Sequence, residues 1–195
     1  MPDPRPKILG ISGSLSVPSR TTGLVRTILT RLEPFAQVEL VELANDAAAL
    51  FATHPKGPRT GRAREIIEAV EGADLLVVAS PIYRASYTGA LKHLFDLVDY
   101  RALEGRPVLV AATGGTPLHA LAMDHQFRPL FAFFKAITLP TTVYALEGDF
   151  DDHALASAEV SGRIDRAVAE ARLQLRLSHA PGSGTVVPFP ATATA

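Results

Sequence analysis

The sequence predicts an α/β fold: a five-stranded parallel sheet in the order 2-1-3-4-5, with helices on both faces. Three observations carry this reading. Short apolar runs alternate with helical periodicity five times within 195 residues, the pattern of successive strand–helix units around one parallel sheet. The run DLLVVAS at 74–80 is apolar without alternation, as expected of a strand covered on both faces. The length suits one domain with a substantial core. That domain is placed at 1–179, and the small, proline-rich, uncharged stretch 180–195 is read as a flexible tail.

Each element has its own justification. KILGIS (7–12) follows a polar start and reads as the first strand. In SRTTGLVRTILTRL (19–32), Leu24, Ile28 and Leu32 recur at helical spacing. QVELVEL (37–43) alternates and reads as a second strand; 44–60, with His54, two prolines and Gly57, reads as irregular. GRAREIIEAVEGA (61–73) and TGALKHLFDLV (88–98) are helical, and RPVLVAAT (106–113) is a strand. Thr116–Pro117 is an N-cap followed by proline at the first helical position, opening a helix through ALAMDHQFRPLFAFFKA (120–136). TTVYAL (141–146) is the last strand. The segment 151–177 is one long helix or two, with Asp151 and Asp152 where the helix dipole favours acids.

Composition excludes several classes. Hydrophobic residues are 47% and charged residues 20%, and the net charge is −1. That balance offers no electrostatic case for nucleic acid or an anionic membrane, nor for a strongly acidic electron carrier. The chain has no cysteine, which removes disulfides, thiolate catalysis, iron–sulfur clusters and zinc–cysteine sites. MPDPRPK is no signal peptide, and no apolar run has the length of a membrane helix; a cytoplasmic location is expected. The histidines, His54, His93, His119, His125, His153 and His179, lack H-x-x-x-H or HExxH spacing, so no metal site is expected. G-I-S-G-S does not supply the G-x-S-x-G of a Ser–His hydrolase. Asp96 and Asp99 are read as solvated or interface ion-pair groups.

In a sheet of this order ligands bind at the carboxyl ends of the strands. Three loops meet there. SGSLSVPSRTT (12–22) offers hydroxyls, the cation Arg20 and a helix N-terminus, which together suit a phosphate. It has neither GxGxxG nor GxxxxGK[ST], so a dinucleotide Rossmann site and a P-loop are disfavoured. SPIYRASYTGALK (80–92) brings Tyr83 and Tyr87, flat apolar faces suited to a ring system. ATGGTPLH (112–119) brings Gly114 and Gly115, whose backbone can approach a ligand closely.

The pieces G-S-x-x-x-P-S-R-T, S-P-I-Y-x-A-S-Y-T-G-x-L-K and A-T-G-G-T-x-x-H resemble, in order and spacing across residues 7 to about 175, the NAD(P)H-dependent FMN reductases of flavodoxin-like fold. Among these the chain most resembles the reductases that hand reduced FMN to two-component alkanesulfonate or methanesulfonate monooxygenases. It departs at Ser16, where many relatives carry Arg. The resemblance implies that Ser14, Ser19, Arg20 and Thr21 hold the FMN phosphate. It places Pro81, Ile82 and Tyr83 on the isoalloxazine and ribityl chain. Thr113, Gly114, Gly115 and Thr116 reach the pyrimidine edge of the ring, with His119 beside them. The implied reaction is hydride transfer from NADPH or NADH to FMN, which needs stacking and excluded water more than a dedicated acid or base. It also implies a homodimer or homotetramer and a monooxygenase partner. Within the same fold, a quinone or azo reductase that keeps FMN bound is the rival reading; a flavodoxin-type electron carrier and a non-enzymatic module are the others.

His125 and Pro129 form one feature. Proline has no N–H, so the carbonyl of residue 125 loses its i−4 donor. The apolar set Leu118, Leu121, Ala122 is out of phase with Phe127, Leu130, Phe131, Phe134. In the resembled family an inserted aromatic or His widens the helix here at the subunit interface. A π-bulge marked by His125 is therefore expected, governing how loosely FMN is held.

Overall fold

A computed structural model describes residues 5–179; the segment read as a flexible tail lies outside the described residues. Strands β1 (Lys7–Ser12), β2 (Gln37–Glu42), β3 (Leu75–Pro81) and β4 (Pro107–Gly114) pair in parallel in the order β2-β1-β3-β4. Beyond β4 the sheet ends in two short strands, β5 (Ile137–Thr138) and β6 (Val143–Leu146), both parallel to β4. The order is thus the flavodoxin-like 2-1-3-4-5 with a divided last strand.

The division has a chemical cause. Pro140, between β5 and β6, cannot donate to the ladder. The carbonyls of Leu139 and Pro140 instead accept from the Arg128 guanidinium at 3.3 and 3.0 Å. β3 is buried throughout, as its unbroken apolar run predicts, whereas the edge strand β2 alternates in exposure.

Helices cover both faces. α1 (Arg20–Leu32) and α6 (Ala158–His179) pack Leu24, Ile28, Leu32, Val160 and Ile164 on one face. On the other lie α2 (Leu43–Phe51), α3 (Gly61–Gly72), α4 (Gly89–Leu97) and α5 (Arg128–Phe133), burying Leu50, Ile67, Leu91, Phe95 and Phe131.

Two expectations are corrected. The stretch expected to be irregular begins with helix α2. Its N-cap Glu42 makes no side-chain bond, and only Leu43 and Leu50 of its residues are buried, so neither a capping signal nor a dense apolar stripe announced it. It is held by Asp46, which pairs with Arg62 of α3 at 2.9 Å. Asp151 and Asp152 do not open the last helix. They belong to a small antiparallel hairpin, β7 (Phe150–Asp151) and β8 (Ala154–Leu155), with Asp152 at φ 54° in its turn. α6 starts after Ser157, whose Oγ accepts from the Val160 N–H at 3.3 Å.

The segment after β4 is not one regular helix. A 3₁₀ turn (Pro117–Ala120) leads to a π turn (Met123–Phe127) and then α5. The Arg128 N–H donates to the Met123 carbonyl five residues back, and Pro129 follows where no donor is available. The π turn contains His125, as the sequence predicts.

Candidate active site

Parallel register brings the ends of β1, β3 and β4 to one edge: Ser12 lies beside Ala79, and Pro81 beside Thr113. Backbone bonds lock the loops that leave this edge. The Gly13 N–H donates to the Ala79 carbonyl at 2.7 Å, and the Ile82 N–H to the Thr113 carbonyl at 2.8 Å. Buried Thr88, the N-cap of α4, donates its hydroxyl to the Gly13 carbonyl at 2.7 Å.

A cleft of about 270 Å³, open on one side, sits on this edge. Ser14, Ser19, Arg20 and Thr21 line it from the first loop; Pro81, Ile82 and Tyr83 from the second; Thr113, Gly114 and Gly115 from the third. Ten of the twelve residues named from the sequence therefore share one surface. Thr116 and His119 do not line it. The carbonyl of Thr116 accepts from the Tyr144 hydroxyl at 2.6 Å, and His119 lies behind the Gly114 turn with a buried Nδ1 that has no partner. Tyr87, also offered for a ring system, makes an edge-on contact with Phe127 at 5.2 Å instead of facing the cleft.

The first loop carries groups that suit an anion. Ser19 caps α1, its Oγ accepting from the Thr22 N–H at 3.3 Å, so a helix N-terminus of partial positive charge faces the cleft. The hydroxyls of Thr21 and Thr113 pair at 2.6 Å, and those of Ser12 and Thr22 at 2.8 Å. The Thr21–Thr113 pair lines the cleft and uses one of its two protons, leaving one hydroxyl donor over; Ser12 and Thr22 lie outside the lining. On the β4 side, a Cβ at Gly114 would sit 2.2 Å from the Tyr144 Oη, and one at Gly115 would project into space free of protein. Without side chains at these two positions, the main chain there can be approached closely by a ligand. These features fit FMN: hydroxyls and a helix N-terminus at α1 suit its phosphate, Pro81–Tyr83 offer an apolar shelf, and Gly114–Gly115 an unshielded main chain.

Tyr83 is held at the shelf by strained backbone. It bridges Ser86 through two backbone bonds of 2.9 and 3.1 Å around Arg84 and Ala85, whose φ angles are 51° and 64°. Left-handed backbone at two consecutive non-glycine residues costs about 1–2 kcal/mol each. Replacing Ala85 with Gly is expected to raise stability by about 1 kcal/mol in urea unfolding. An unchanged or lowered midpoint would show that this turn stores no strain.

Burial pushes the Tyr144 phenol above the ordinary tyrosine value. Burial likewise raises Tyr87. Both hydroxyls keep their protons throughout the neutral range. Asp96 pairs with Lys92, and Asp99 accepts from the Arg101 N–H at 2.8 Å, in line with their reading as surface ion-pair and turn groups. Among the described residues, no three His, Asp or Glu side chains gather to hold a metal, and no helix is long and apolar enough to cross a membrane.

Sequence reasoning missed one wall of the cleft: Leu146, Glu147, Phe150 and His153, together with Pro18 of the first loop. The signal was present. The residues after β6 leave the sheet at the same carboxyl edge, and the rule that ligands gather there applies to the last strand as much as to the first.

Comparison with known proteins agrees with this geometry. The model of the family described as NADPH-dependent FMN reductase matches residues 6–151. The "FMN reductase (NADPH)" of Pseudomonas aeruginosa is 47% identical over 167 residues, covering 85% of this chain and 90% of its own. The "NADH-dependent FMN reductase SfnF" of Pseudomonas fluorescens is 46% identical, covering 85% and 89%. Among solved structures, an oxidoreductase from Corynebacterium diphtheriae superposes with a TM-score of 0.82 at 32% identity, covering 90% of this chain and 99% of that one. The chain belongs to the NADPH-dependent FMN reductase family, oxidoreductases whose site serves FMN and a nicotinamide dinucleotide.

Proposed function

We propose that the chain takes FMN as an exchangeable substrate, reduces it with NADPH or NADH, and releases reduced flavin to a partner monooxygenase, one acting on sulfonates. The observation that carries this reading is the π turn at Met123–Phe127. It follows the Gly114–Gly115 loop that lines the cleft, with one 3₁₀ turn between them, and the irregularity occupies the segment on which a tight flavin site would rest.

Within the site, Ser14, Ser19, Thr21 and the α1 N-terminus hold the phosphate, and Arg20 adds its charge. Pro81, Ile82 and Tyr83 support the ring and ribityl chain. The backbone N–H groups of Gly114 and Gly115, with the Thr113 hydroxyl, meet the pyrimidine edge; donors there favour the anionic reduced ring. When bound, FMN supplies the atom that accepts hydride from the nicotinamide. The chain's own contribution is orientation and exclusion of water, and no side chain is assigned as acid or base. The open side of the cleft leaves room for the nicotinamide to stack. Thr116 and His119 support the loop from behind.

Self-association fits the exposed apolar residues flanking the π turn: Leu118 is 77% exposed, Leu121 56% and Phe133 69%. We assign these to an interface of a homodimer or homotetramer, working in the cytoplasm. The supply of reduced flavin is tested by mixing the protein with FMN, NAD(P)H and a purified flavin-dependent sulfonate monooxygenase. Sulfite release that requires all components supports the reading; no sulfite, with flavin reduction intact, removes the sulfonate partner.

The rival reading, a quinone or azo reductase with resident FMN, uses the same loops. A relative named "FMN-dependent NADPH-azoreductase" from Staphylococcus haemolyticus is 25% identical. The π turn favours exchange over retention.

A further inference from the structure

Among the described residues, Arg20 is the only lysine or arginine lining the cleft, and its charge is already engaged. Its Nη2 donates to the Glu147 Oε1 at 2.6 Å, and its Nε to the Asp152 carbonyl at 3.2 Å. Glu147 lies in the short turn after β6 and lines the same cleft. The hairpin that follows is seated tightly on α1: a Cβ at Gly23 would come within 2.1 Å of the His153 carbonyl oxygen. Glu147 reaches the first loop from the turn that leads into this hairpin, and the acidic residues Asp151 and Asp152 stand in the hairpin itself.

We propose that Glu147 limits flavin affinity by competing with the flavin phosphate for Arg20. The inference rests on the reading of the Ser14–Thr21 loop as the phosphate site. A phosphate arriving at the α1 N-terminus meets a cation already paired and a carboxylate of its own sign. It must draw Arg20 away from Glu147 or share it, and in either case the carboxylate stays within a few ångströms of the phosphate. The pair is solvent-exposed, 39% at Arg20 and 74% at Glu147, so its own strength is modest. The like-charge repulsion adds to it. Glu147 thus acts on the phosphate alone and leaves the ring untouched, a second route to exchangeable flavin, separate from the π turn.

The test compares FMN with riboflavin, which lacks the phosphate, by quenching of flavin fluorescence on the wild-type protein, Glu147→Gln and Arg20→Met. Glu147→Gln tightens FMN roughly three- to tenfold, leaves riboflavin unchanged, and loses most of this gain in high salt. Arg20→Met weakens FMN towards riboflavin and, combined with Glu147→Gln, removes most of the gain. Unchanged or weaker FMN binding by a folded Glu147→Gln protein overturns the proposal while the phosphate loop stands. Equal binding of FMN and riboflavin by the wild-type protein overturns the loop reading, and the proposal with it.

Discussion

A chain lacking His125 binds FMN roughly tenfold more tightly than the parent, about 1.4 kcal/mol, and stays yellow through dialysis. The structure explains why such a deletion can fold. Met123, Phe127, Phe131 and Phe134 are buried at spacings of four, four and three. Removing residue 125 changes these to three, four and three, which still lie on one helical face. The five-residue bond from the Arg128 N–H to the Met123 carbonyl becomes a regular four-residue one. Pro129 then faces the carbonyl of Asp124, which lies on an exposed turn where water can satisfy it. The cost of the deletion is therefore small, and the gain is a regular support behind the flavin loop. Dialysis followed by flavin absorbance reads the result directly. A deletion variant that releases and exchanges FMN like the parent would sink the assignment of the π turn as the loosening device.

The largest loss of stability is expected at Phe127. It is fully buried, closes the π turn and meets the Tyr87 ring edge-on at 5.2 Å. It therefore ties the irregular segment to the loop before α4. Phe127→Ala removes a large apolar side chain from a packed core and breaks an aromatic pair, and should cost about 3–5 kcal/mol. Guanidinium unfolding measures this, with Leu173→Ala as the comparison. Leu173 is 55% exposed on α6, and its loss should stay within about 0.5 kcal/mol. A Phe127→Ala loss below about 1 kcal/mol would mean that the π turn is not anchored through this ring.

The two variants separate two meanings of the irregular helix. A π turn that were only a packing defect would gain stability on deletion of His125 with no change in flavin exchange. A π turn that serves function shows the opposite pattern, flavin retention with little change in stability.

The sequence states the fold clearly wherever packing is two-sided. DLLVVAS could be a buried parallel strand and little else, and the alternation in QVELVEL matches its edge position in the sheet. Helix α2 was hidden because it buries only Leu43 and Leu50 and relies on contacts with α3 and α4 that sequence periodicity does not register. The hairpin at Phe150–Leu155 was hidden because Asp151 and Asp152 look like a helix start; their acidity serves the dipole rule and a turn equally well. At the site, hydroxyls and glycines at three strand ends were legible because their chemistry is local. The pairing of Arg20 with Glu147 was not, since it joins residues 127 apart in the chain through the sheet. The bulge at His125 was legible because a missing N–H at Pro129 is a local fact with one consequence.

In the proposed function FMN passes through this protein as a substrate. Dialysed protein is mixed with NADPH or NADH, and oxidation is followed at 340 nm as free FMN is added. The account predicts colourless protein, negligible oxidation without flavin, and a rate that rises and saturates with added FMN. Protein that stays yellow and oxidises NAD(P)H against a quinone at full rate without added FMN would contradict it.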